Sequence, residues 1–265
     1  MSRHVTSRIV LNITEPADLV FAISVSRHYV PTSESLSALL DGAPVDVDEL
    51  SDVHGTRLHR ILSGVGELIV EYSADVPDTG EADGVDDVDL LTYTRPSRYA
   101  ESDALAPTAA AEFAGIGDHA SLLASVSSWV GTRLAYVPGS SLPTDGATRT
   151  LLARQGVCRD YAHLSTALLR SLGIPARLVA VYAPGLDPMD FHAVTEAWVD
   201  GAWRVVDATT LAPRSTLVRI ATGRDAADTA FLNVMSGRAD LVDVTVTATA
   251  DVLPNDDLNQ MVSIA

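Results

Sequence analysis

Gly156-Val157-Cys158-Arg159-Asp160-Tyr161-Ala162-His163-Leu164 carries the single cysteine of the 265-residue chain, and the fold is read from this stretch. Cys158, Tyr161, Ser165, Leu168 and Leu172 recur at helical spacing, and Gly173-Ile174-Pro175 ends the run with a glycine and a proline. The spacing predicts a helix over 158–172 with the thiol in its first turn, on the inward-facing side. With one cysteine an intramolecular disulfide is impossible, and a thiolate metal cluster is not expected.

Downstream, Ala176 to Ala183 reads as a strand, and Phe191 to Val199 and Trp203 to Ala208 read as two more, joined by the hairpin signal Asp200-Gly201. If those two residues form the turn, Val199 pairs with Ala202 and Val194 stands opposite Asp207. His192 is then the diagonal neighbour of Asp207 on one face, shared with Val194, Glu196, Trp198, Trp203 and Val205. A three-residue loop would send Asp207 to the other face, so the register decides whether carboxylate and imidazole can meet. A late stretch, Val242 to Ala250, alternates and reads as a half-exposed strand.

Upstream, a short helix is expected near 147–154. Asp118 can cap a longer one whose apolar positions Leu122, Val126, Trp129, Val130 and Leu134 fall three and four apart. Earlier still, strands at Ile9 to Ile13, Leu19 to Val25 and Glu67 to Tyr72, separated by turn signals at Asp41-Gly42, Gly55 and Gly64, predict an antiparallel β domain. The acidic run from Asp75 to Asp89 is read as a solvated loop whose carboxylate spacing fits no calcium-binding loop. The style turns from strands to helices after about residue 100. The expected architecture is α+β: a β-rich domain over 1–104, then a domain over 105–265 in which the cysteine helix packs on an antiparallel sheet bearing His192 and Asp207.

Composition excludes several functions. A hydrophobic content of 47% with 20% charged residues fits a folded protein rather than a disordered one. The formal net charge of −17 repels phosphate backbones and anionic lipid, so neither nucleic acid nor a membrane surface is an expected partner. All 18 basic residues are arginine, which removes a phosphate-loop lysine and a Schiff-base lysine from consideration. Met1 to Arg8 has no apolar core of signal-peptide type, and no apolar run is long enough to span a bilayer; a cytoplasmic location with a reduced thiol is the expectation. His54 and His59 have no third ligand in the pattern, and no metal or cofactor is expected.

Cys158, His192 and Asp207 are the residue types that nucleophilic thiol chemistry needs. A thiol becomes a useful nucleophile when its pKa falls, and a helix N-terminus together with an imidazolium lowers it. The histidine returns the proton to the leaving group, and the aspartate fixes its tautomer and stabilises its charged form. The developing oxyanion has the Cys158 backbone N–H as a first donor, with Gln155, Trp129 and Tyr136 as candidates for the second. Glu196 is read either as a buried charge paired to an arginine such as Arg177 or as a substrate-amine contact. Trp198 is a further substrate-side candidate, and Arg224 either anchors a substrate carboxylate or closes an internal salt bridge.

The stretch 156–164, together with Leu172-Gly173-Ile174-Pro175-Ala176-Arg177, Asp190-Phe191-His192-Ala193, Glu196-Ala197-Trp198 and Trp203-Arg204-Val205-Val206-Asp207-Ala208-Thr209, resembles the transglutaminase-like superfamily of cysteine acyltransferases and peptidases. The resemblance covers roughly residues 118 to 212, and the strand-rich first third is similar to the β domain that precedes this core in many bacterial members. It implies Cys158 as nucleophile, His192 as base and Asp207 as orienter, with Val194 where many members carry tryptophan. The expected activity is thiol-dependent acyl transfer on peptide, isopeptide or glutamine-type amides, more hydrolytic than crosslinking, with a peptide or protein substrate. The competing expectation is a catalytically idle module that binds peptides in the same cleft. An arylamine acetyltransferase ranks below both, because its nucleophile lies near the start of the chain.

Overall fold

The computed structural model describes residues 1–77, 80–82 and 84–264. Among the described residues two antiparallel sheets, a two-residue parallel ladder and a group of helices form the expected α+β class. The first sheet is built around β1 (Arg3–Phe21), followed by β2 (Ser33–Leu40), β3 (Ala43–Pro44), β4 (Asp48–Ser51), β5 (Arg57–Ser63) and β6 (Gly66–Val76). The first part of β1 pairs with β6 from Arg3 to Ile13, and its last part pairs with β5 from Ala17 to Phe21. The two strands expected within 9–25 are thus one. The ladder is irregular between Ile13 and Leu19, around Pro16, whose missing N–H cannot join it.

After the sheet come α1 (Asp87–Thr94), α2 (Ser102–Phe113), α3 (His119–Arg133), β7 (Ala135–Tyr136), α4 (Ala147–Ala153), β8 (Gln155–Gly156) and α5 (Cys158–Ser171). The expected loop over 75–89 is therefore helical from Asp87, because Asp86 accepts the Asp89 N–H at 2.8 Å and nucleates a turn. Asp78, Thr79 and Asp83 of that run lie outside the described residues. Asp118 caps α3 as expected, accepting from the Ser121 N–H at 2.8 Å.

The second sheet contains β9 (Ala176–Tyr182), β10 (His192–Val199), β11 (Ala202–Val206) and β12 (Val218–Gly223) in the order β11-β10-β9-β12. A short helix α6 (Ala226–Thr229) leads to β13 (Leu232–Ala250), which returns to the first sheet and pairs antiparallel along β1. A division at 104/105 thus separates two strands that share a ladder: the β unit takes its last strand from the end of the chain. At the irregular part of this ladder Gly237 has φ +79°, and a Cβ there would collide with the Pro16 carbonyl.

Helix α5 is the axis of the molecule's second half. It is buried from Asp160 to Arg170, not along one stripe, because β9 and β10 cover one side and α2, α3 and α4 the other. Leu164, Ala167, Leu168 and Leu169 are fully enclosed with Val126, Val130 and Ala197. Each buried leucine contributes about 2 kcal/mol of apolar transfer. Two of the helix's buried polar residues are partnered with its neighbours: Thr166 and Thr195 hydroxyls meet at 3.0 Å, and Arg170 Nε donates to the Ala176 carbonyl at 2.8 Å. The last turn closes as the sequence predicts, with Gly173 at φ +77° and the Ile174 N–H donating to the Leu169 carbonyl. The two sheets meet in an apolar layer where Tyr182, Val218 and Ile220 pack with Ile9, Leu19 and Phe21, and Tyr182 Oη donates to the Ile23 carbonyl at 2.7 Å.

Candidate active site

The thiol's position is fixed from below by Gly156 and Asp160. Asp160 is fully buried, and its Oδ2 accepts the Val157 N–H at 2.8 Å, tying the entry of α5 to its first turn. Gly156 has no side chain because a Cβ there would lie 2.6 Å from the Asp160 Cβ. Cys158 follows as the first helical residue, half-buried and reduced. The segment before it is held by a two-residue parallel ladder in which Tyr136 pairs with Gly156, and the Val137 N–H donates to the Gly156 carbonyl at 3.0 Å. That ladder carries Tyr136 to the thiol.

His192 and Asp207 come from the β10–β11 hairpin. Asp200 and Gly201 both take positive φ, at +51° and +74°, and form a two-residue turn of the kind that matches strand twist. Val199 pairs with Ala202 and Thr195 with Val206, so the register continues to place Val194 opposite Asp207. His192 Nε2 lies 2.8 Å from Asp207 Oδ2, with both side chains buried. Helix α5 crosses the opposite face of β10, where Thr195 Oγ1 donates to the Ala162 carbonyl at 2.9 Å, one turn beyond Cys158.

The electrostatics follow from this packing. Burial disfavours a charge on His192, yet the Asp207 carboxylate and the neighbouring Cys158 thiol more than offset it, and the imidazole is raised to about 10. Asp207 is the converse: burial favours the neutral acid, while His192 and the two donors of Thr209 hold it below the usual carboxylate value. Tyr136 is raised above its ordinary value by partial burial and by the Cys158 thiol, so its hydroxyl keeps its proton beside the thiol. A cleft of about 450 Å³ opens on this side, with Tyr136, Tyr161 and Thr209 in its wall.

The other sequence candidates fall elsewhere. Trp129 does not reach the thiol: its Nε1–H donates to Glu112 Oε2 at 2.8 Å, and its ring meets Phe113 edge-on with Arg133 stacked on it. Gln155 is exposed in β8, its backbone paired with Ala135. Glu196 is no substrate contact, because it is fully buried between Arg177 at 2.8 Å and Arg219 at 2.7 Å. Trp198 lies at the turn end of the hairpin, packed edge-on against Trp203, six residues along the strand from His192 and therefore about 20 Å away. Arg224 closes a salt bridge to Asp228 at 2.8 Å. Its carbonyl accepts from Arg170 near the far end of α5, about 18 Å from the thiol. His163 is buried against Tyr99 and accepts the Ala226 N–H at 3.1 Å. Thr209, which donates to Asp207, was missed because its role depends on the local turn after β11 and on no periodic pattern.

Among the described residues no group of three or more His, Cys, Asp or Glu side chains could hold a metal ion. No helix among them is long and apolar enough to cross a membrane.

Comparison with known proteins places residues 107–208 on the family model of the transglutaminase-like superfamily. The solved structure of a candidate cysteine protease from Cytophaga hutchinsonii is 32% identical, with a TM-score of 0.89 over 98% of this chain and 96% of that one. An uncharacterized protein of Mycobacterium leprae is 34% identical over 131 residues, 46% of this chain and 47% of the relative. One of Mycobacterium tuberculosis is 29% identical over 185 residues, 60% and 59% respectively. The chain thus spans about half the length of the curated relatives it matches.

Proposed function

The chain belongs to the transglutaminase-like superfamily, and we propose that it is a thiol-dependent acyl-transfer enzyme in which Cys158, His192 and Asp207 act as nucleophile, base and orienter. The observation that carries this reading is the 2.8 Å contact between His192 Nε2 and Asp207, which leaves Nδ1 for the thiol at the start of α5.

His192 holds the proton that Cys158 gives up, and the sulfur adds to the carbonyl carbon of an amide. Negative charge gathers on the carbonyl oxygen, which the Cys158 N–H and the Tyr136 hydroxyl receive in this reading. Collapse of this intermediate breaks the C–N bond as His192 returns the proton to the departing amine, leaving a thioester. Water, deprotonated by His192, then hydrolyses the thioester. Hydrolysis is favoured over transfer to a second amine because Glu196, the carboxylate weighed as an amine contact, is sealed between two arginines. The substrate class is a peptide, isopeptide or glutamine-type amide, in keeping with the candidate cysteine protease that the chain resembles along its length.

Amide hydrolysis measured on a peptide library, with Cys158→Ala in parallel, tests the reading. Turnover is expected from the wild type alone, and equal turnover by both proteins would sink the nucleophile assignment.

A further inference from the structure

Asp207 is held from more sides than His192 alone accounts for. Its Oδ2 meets His192 Nε2 at 2.8 Å, while Oδ1 accepts two bonds from one residue: the Thr209 backbone N–H at 2.9 Å and the Thr209 Oγ1–H at 2.7 Å. Its backbone carbonyl accepts from Ser127 Oγ at 3.1 Å. Of this cluster Thr209 and Ser127 reach the wall of the 450 Å³ cleft, whereas Asp207, 2% exposed, does not. Thr209 therefore stands between the carboxylate and that cleft, whose wall also holds Tyr136.

We propose that Thr209 is a positioning residue for the Cys158–His192–Asp207 site: its hydroxyl and amide lock the rotation of the Asp207 carboxylate and keep water from it. A carboxylate can turn about its last side-chain bond, and a single bond to His192 would leave that torsion soft. Two donors on the second oxygen, both from a residue whose backbone is fixed just beyond β11, remove the freedom. The carboxylate plane then stays aligned with the imidazole, as an orienting group requires. The inference rests on the catalytic reading above but concerns the His192–Asp207 bond, which can be observed without a substrate.

Three variants separate the contributions. Thr209→Ser keeps the hydroxyl, Thr209→Val keeps the shape without it, and Thr209→Ala loses both. Two readouts are taken on each: the rate of Cys158 alkylation by iodoacetamide at pH 7, and the low-field proton NMR signal of the His192 Nε2–H bound to Asp207. The serine variant is expected to match the wild type within about twofold and to keep the signal. The valine variant should alkylate about tenfold more slowly, the size expected for one hydrogen bond to a charged group, and its low-field signal should broaden or vanish. The alanine variant should fall at least as far. A valine variant that keeps both the wild-type rate and the signal overturns the inference. An unreactive wild-type thiol would count against the catalytic reading, while the NMR comparison would still decide the role of Thr209.

Discussion

Gly156 and Asp160 are packed so closely that a Cβ on the glycine would lie 2.6 Å from the Cβ of the aspartate and 2.8 Å from the oxygen that holds the Val157 N–H. Glycine is needed here for close approach, not for an unusual backbone angle. Gly156→Ala is expected to push α5 outward at its first turn, lowering stability by about 2 kcal/mol and slowing Cys158 alkylation. Adding Asp160→Gly should recover part of the loss, since it removes the Cβ that the new methyl would meet, along with one capping bond. Strictly additive losses in the double variant, by urea denaturation, would contradict this arrangement.

The His192–Asp207 pair makes stability depend on pH in a defined direction. His192 is raised to about 10 in the fold, against about 6.5 for an unfolded histidine. Its contribution is complete below about pH 6.5 and is lost as the pH rises toward 10, because the unfolded chain releases the proton earlier. Urea unfolding between pH 6 and pH 10 should show this decline in the wild type, and His192→Gln should flatten it. Equal slopes in the two proteins would mean that the imidazole carries no extra proton affinity in the fold.

Much of this site was legible in the sequence because local chemistry fixes it. Asp200-Gly201 selects a two-residue turn, which sets the register bringing His192 to Asp207, and the Gly173 and Pro175 stop ends the cysteine helix. What was not legible depends on distant parts of the chain. The alternating end of β13 from Val242 was legible as a strand, but from Val234 to Arg238 and from Asp240 to Asp243 β13 runs exposed, and nothing local reveals its pairing with β1 more than 200 residues away. Trp129 keeps a core spacing on α3, yet the group that claims its indole N–H is Glu112 on a different helix. Tyr136 lies on a two-residue strand, too short to carry a period, and reaches the thiol only through the ladder with Gly156.

Glu196 distinguishes a structural role from a substrate-binding one. It is fully buried with Arg177 and Arg219, and Trp203 stacks 4.0 Å from the Arg177 guanidinium. Burial opposes its charge, but the two arginines hold the carboxyl below its usual value. Glu196→Gln leaves two enclosed cations without their counter-charge, for an expected loss of about 3 kcal/mol in chemical denaturation. Molecules that remain folded should alkylate Cys158 at the wild-type rate. A fully stable variant with an impaired thiol would return Glu196 to the candidate site.

Acid sensitivity between pH 6.5 and about 4.5 is expected to come from two other histidines. Burial lowers His163 to about 3 and His59 to about 4. His163 accepts the Ala226 N–H, and His59 Nε2 sits 2.7 Å from Ser24 Oγ. A neutral imidazole in the fold, against an unfolded value of about 6.5, stabilises the protein above pH 6.5 and loses that contribution as the pH falls. His192 adds no slope in this window, being protonated in both states. Urea midpoints should therefore fall steadily from pH 6.5 to pH 4.5 in the wild type and less steeply in His59→Gln/His163→Gln. A wild-type profile flat over that window would show that neither ring is held neutral, and the buried bond to Ala226 would then need another explanation.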